Sequence, residues 1–109
     1  MRERVTMPVL EFLELRGEKD FEGFAGNVFD IEYFAEHIEH MRNNGLDVDN
    51  TFVRLITPYN DEQRLYSDVL LIPLTDQYSF GLMAAIIDMH PDEFDIDREM
   101  ENHIRLWWD

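Results

Sequence analysis

Cysteine is absent from this chain, and lysine nearly so, Lys19 being the single example. Without thiols there are no disulfides and no thiolate metal centres. No apolar run approaches the ~20 residues that cross a bilayer. Met1-Arg2-Glu3-Arg4 opens on charge where an export signal would turn apolar. Linkers, internal repeats and low-complexity tracts are missing too. These absences predict one domain over residues 1–109, cytoplasmic and without membrane contact.

Cations are the scarcest class of all. Nine Lys and Arg stand against 24 Asp and Glu, a formal net charge of −15 in 109 residues. A domain of this size spans roughly 30 Å, over which duplex DNA carries on the order of 18 charges. Such a field repels nucleic acid and anionic lipid and speeds encounter with basic partners. The plain alternative is a solvated surface, or adaptation to high salt. A disordered acidic tail is excluded, because hydrophobic residues make up 45% of the chain, with eight Phe, four Tyr and two Trp.

The hydrophobic pattern predicts an α+β domain. Residues 7–16 read as a first strand, and the aromatic stretch over 24–30 as a second. Asp30 is a plausible N-cap for the clearest helix, 31–44, where Ile31, Phe34, Ala35, Ile38 and Met41 form a stripe. Asn43-Asn44-Gly45 stops it. A strand over 51–57 is halted by Pro58, and Tyr59–Arg64 reads as a turn. The apolar runs 65–74 and 78–87, joined by Thr75-Asp76-Gln77, read as a hairpin. Ile96, Met100, Ile104 and Trp107 keep near-helical spacing, so a C-terminal helix is expected from about Asp95, with a terminal strand as the alternative. The expected architecture is an antiparallel sheet of about five strands packed by the central amphipathic helix and the C-terminal helix.

Motifs of catalysis are missing. There is no Gly-x-Ser-x-Gly, no Ser-x-x-Lys, and no Lys-Ser/Thr after Gly23 and Gly26 to make a phosphate loop. Carboxylates are too many for any pair to be singled out as acid and base. His37 and His40 share a helix face beside Glu36 and Glu39, and that chemistry suits zinc or iron. Their spacing matches no metal signature, and both fall on the polar side. Asp47-x-Asp49-x-Thr51 opens like a calcium loop, but Phe52 and Pro58 stand where Gly and Glu are required. The expectation is a non-enzyme with no cofactor and no metal. Trp107-Trp108 reads as a core lid, or else an interface anchor.

Residues 9–41 resemble the opening unit of the ArdA-type antirestriction proteins. The pieces that carry the resemblance are Val9–Arg16, Glu22-Gly23, Ala25-Gly26, Phe29-Asp30-Ile31 and the helix to Met41. The chain is shorter than typical members, its two glycines stand closer together, and residues 60–109 lie outside the likeness. The resemblance implies a DNA mimic that fills the DNA-binding groove of a restriction enzyme. The stretch Ser67–Asp76 with Tyr78 and Phe80-Gly81 is similar to a strand pair in some bacterial immunity proteins, which implies a basic toxin nuclease as target.

The expected function is therefore a phage or mobile-element inhibitor in a bacterial host cell. It would bind the nucleic-acid-binding site of a CRISPR effector or restriction enzyme, without touching nucleic acid itself. Immunity against a toxin nuclease is the alternative. Glu32, Glu36 and Glu39 on the outer helix face, and Asp92, Glu93, Asp95 and Asp97 in the densest acidic run, are the expected contacts, each standing in for a phosphate. Carboxylates one turn apart on a helix lie ~5–6 Å from one another, within reach of Arg and Lys meant for DNA.

Overall fold

Pro8 divides the first apolar stretch. It ends a short strand, β1 (Thr6–Pro8), and opens a helix, α1 (Val9–Glu14), where a strand over 7–16 is expected. Val9, Phe12 and Leu13 fall at i, i+3 and i+4, and all three are buried, so one helical face does what alternation was expected to do. The computed structural model describes residues 5–26, 28–56, 65–75 and 78–108. The turns expected at Tyr59–Arg64 and across Asp76 and Gln77 lie outside those residues, as does Pro58.

A 3-10 turn at Leu15–Gly17 leads into β2 (Phe21–Phe24), earlier and shorter than the strand expected over 24–30. Its pairing slips between Phe21 and Gly23, where Gly23 takes a φ of 107° that an L side chain would resist. Helix α2 (Ile31–Asn43) follows as expected, burying Phe34, Ile38 and Met41. Asp30 holds the N-cap position, but its side chain makes no cap bond. At the other end Leu46 N–H returns to Met41 C=O (2.9 Å) and Gly45 N–H to Arg42 C=O (3.1 Å). That pair of bonds is a Schellman stop, which the φ of 105° at Gly45 permits.

Strands β3 (Phe52–Leu55) and β4 (Leu65–Pro73) lie where strands are expected. The second arm of the expected 78–87 hairpin is instead a helix, α3 (Phe80–Asp88). Ser79 Oγ accepts the Leu82 N–H at 3.0 Å and donates to Asn44 C=O at 2.8 Å, so one hydroxyl caps α3 and ties it to the end of α2. Leu82, Ala85, Ile86 and Met89 form the buried stripe. The C-terminus reverses the other expectation. Instead of a helix from Asp95, β5 (Glu93–Ile96) and β6 (His103–Trp107) make a hairpin. Phe94 and Ile96 pair across it with Leu106 and Ile104, a period of two that outweighs the near-helical spacing.

The α+β class holds, with six strands and three helices among the described residues. The strand order is β1-β3-β4-β6-β5, with β2 also on β4. Every pair is antiparallel except β2 with β4, which is parallel. Val53, Leu55, Leu70, Ile72, Ile104 and Leu106 turn one sheet face toward the helices and form a single cluster with Phe12, Phe34, Leu82 and Trp108. Trp108 is 1% exposed, meets Phe24 and Phe29 edge-on, and donates from its indole to Met89 C=O, so it is a core residue.

Ser79→Ala should destabilise the fold by about 1 kcal/mol through loss of the α3 cap. Urea unfolding tests this: the midpoint should fall while the slope stays constant.

Candidate functional site

Helix α2 presents its acids on the face turned from the core. Glu32, Glu36 and Glu39 are all exposed, and they border a groove of about 580 Å³ whose other wall is Leu10, Leu13 and Glu14 of α1. Arg16 Nε lies 3.2 Å from Glu32 Oε1, and Arg42 Nη1 3.8 Å from Glu39 Oε2. All four side chains in those pairs are open to solvent, so each bridge contributes little and exchanges readily for another cation. Glu36 makes no ion pair among the described residues.

The second acidic run divides. Asp92, just before β5, and Glu93 and Asp95 along it are exposed. Glu93 Oε2 meets Arg105 Nη1 at 2.9 Å, and Asp95 Oδ1 accepts the Ile96 N–H at 2.8 Å. Asp97, expected as a partner contact, turns inward, its side chain only 2% exposed. Both its oxygens take the Arg54 guanidinium at 2.9 Å, and Oδ2 also accepts from Met100 N–H (2.6 Å) and Glu99 N–H (3.2 Å). Asp97 is therefore a structural counterion and leaves the set of contact candidates. The two remaining groups sit on separate elements: α2 packs on β2 and α3, whereas β5 packs on β6.

The histidines do not converge on a metal site. His37, expected on the polar side, is half-buried beside α3, where burial lowers its pKa and the Asp88 carboxylate opposes that shift. His40 is exposed, 6.3 Å away between ring centroids. Among the described residues no group of three or more His, Asp and Glu could hold a metal ion, and no helix is long and apolar enough to cross a membrane.

The protein measures 42 × 29 × 24 Å, longer than the expected span. Over 42 Å duplex DNA carries about 25 charges, so a formal −15 amounts to roughly three-fifths of its linear charge. Phe94, which the sequence reading passed over, and Ile96, expected on the apolar stripe of a C-terminal helix, stand 52% and 62% exposed between the acids of β5. Their alternation with Glu93 and Asp95 was the available signal. Comparison with protein-family models, curated proteins and solved structures gives no match.

Hydrogen bonding to Arg54 is the main cause that holds the Asp97 carboxyl at about 2, below its ordinary 3.8, against the opposing cost of burial. The folded value lies below the unfolded one, so this stabilisation is complete above the unfolded pKa and is lost as pH falls through about 2. Its size is on the order of 2 kcal/mol. Asp97→Asn should cost about 3 kcal/mol, because it leaves the buried Arg54 charge with only the longer, exposed contact to Glu99 Oε2 at 3.7 Å. It should also flatten the acid limb of the stability curve. The double variant Arg54→Met/Asp97→Leu should cost less than Arg54→Met and Asp97→Leu added, which chemical denaturation of these three variants checks.

Proposed function

We propose that this chain is a non-catalytic inhibitor whose carboxylates occupy the nucleic-acid-binding site of a basic bacterial defence protein, a CRISPR effector or restriction enzyme. One observation carries the reading: Glu32, Glu36 and Glu39 stand exposed in line on a single well-formed helix, in a chain of net charge −15. A helix holds its charges in place before the partner arrives, so little ordering cost attends binding. The Arg16 and Arg42 bridges can yield to cations of the target, since exposed pairs are weak. The overall field accelerates encounter with a basic groove and keeps DNA away. The ArdA-type resemblance over residues 9–41 includes this helix and agrees in sign, although its opening piece, expected as a strand, is helix α1.

The test is capture of partners from a bacterial lysate at low and at high salt, with duplex DNA as competitor. A nucleic-acid-binding protein should be retained at low salt, released as salt rises, and displaced by DNA. Glu32→Lys/Glu36→Lys/Glu39→Lys should lower its affinity by tenfold or more while the circular dichroism spectrum is preserved. Retention of the same protein by the triple variant would sink the proposal. A toxin nuclease held equally with and without DNA would favour the immunity reading.

A further inference from the structure

Strand β5 leaves an edge open. It pairs with β6 alone, and among the described residues no strand lies along its other side. All four of its residues are exposed. Phe94 stands opposite Leu106 and Ile96 opposite Ile104, so both point to the helix-covered face of the sheet, yet remain more than half exposed at its margin. Glu93 and Asp95 point to the opposite face, in register with Trp107 and Arg105. The strand thus carries an apolar side and an acidic side.

Its backbone is oriented for pairing. Asp97 N–H donates to His103 C=O at 2.9 Å, so at a period of two the amides of Asp95 and Glu93 also face β6. Those of Phe94 and Ile96 face outward. Asp95 Oδ1 covers the Ile96 N–H, which leaves the N–H and C=O of Phe94 and the C=O of Ile96 for a neighbour.

We propose that β5 is the docking edge for an extended segment of a partner protein in which lysine or arginine alternates with aliphatic residues. Such a strand places its cations beside Glu93 and Asp95 and its aliphatic side chains on Phe94 and Ile96. Charge selects the occupant. Antiparallel pairing with a second copy would set Glu93 and Asp95 against their own counterparts, between molecules of charge −15 each. Acids on an open edge repel like strands and admit basic ones. A cation that claims the Asp95 carboxylate also frees the Ile96 N–H for the incoming chain. The inference rests on the proposed function only for the sign of the partner, and it names a surface separate from α2.

The experiment titrates the ¹⁵N-labelled full chain with a synthetic peptide alternating lysine and valine. Two controls are a peptide of the same composition in separate lysine and valine blocks, and an alternating glutamate and valine peptide. The alternating lysine peptide should move the Phe94 and Ile96 amide signals. Its affinity should drop about tenfold in Asp95→Lys and in Phe94→Thr/Ile96→Thr, changes at exposed positions whose folding circular dichroism checks. Equal binding by the block peptide, shifts centred on Glu32–Glu39, or no binding would each overturn the proposal. So would self-association through β5 in sedimentation. DNA-displaceable capture with no response of β5 to the peptide removes the edge and leaves the carboxylate reading. Peptide binding at β5 without such capture does the reverse.

Discussion

The ion pair between Arg54 and Asp97 is the contact on which the far side of the sheet depends. Arg54 alternates with Val53 and Leu55 and so turns to the sheet face opposite the core cluster, in a strand whose other side chains are apolar, and it is 5% exposed. A guanidinium that deep must be matched by a carboxylate of fitting geometry. Asp97 supplies one by folding the chain after β5 back over β3. The same carboxylate gathers the Glu99 and Met100 amides and so shapes the turn that returns to β6. This contact closes the turn behind β5, while the four-residue register with β6 holds the strand and the exposed residues of that edge.

Against that local attraction stands a general repulsion. With 24 acids and nine cations, electrostatics over the whole surface oppose compaction. What offsets them is an unusually aromatic interior. Phe24 stacks on Phe34 with ring centroids 4.0 Å apart, and Phe12, Phe29 and Trp108 pack around it. Aromatic pairs of this kind add to their area burial about 0.5–1.5 kcal/mol each. The acids of α2 are tolerated because the helix presents Glu32, Glu36 and Glu39 outward while Phe34, Ile38 and Met41 anchor its inner face.

Much of this was legible in the sequence, and the errors share a cause. The stripe Ile31, Phe34, Ile38 and Met41 has acids on its other side, so its period admits one reading. Val9 to Leu15 fits both a strand and a helix, and Pro8 was the feature that decides. Leu82 to Ile87 is apolar on both faces, where periodicity cannot separate a buried helix from a buried strand. The Ser79 cap was the available clue there. At the C-terminus Ile96, Met100 and Ile104 imitate a helical stripe, while Glu93-Phe94-Asp95-Ile96 alternates openly. For the surface, the exposure of Glu32, Glu36 and Glu39 followed from helix geometry. The burial of Asp97 did not, since its partner is 43 residues away. A lone Arg within Phe52-Val53-Arg54-Leu55 was the sign that some acid had to come inward.

Strand β4 has consequences for how the chain assembles. It is bonded to β3 along one edge, and to both β2 and β6 on the remaining positions. Only its pairing with β3 joins neighbours in the strand sequence. Those with β2 and β6 bring together segments far apart in the chain, so each must overcome a large loop-closure entropy before its hydrogen bonds form. The β5–β6 hairpin is local and can precede them. Folding should therefore be slow for a chain of this length, paced by the moment at which both ends find the middle strand.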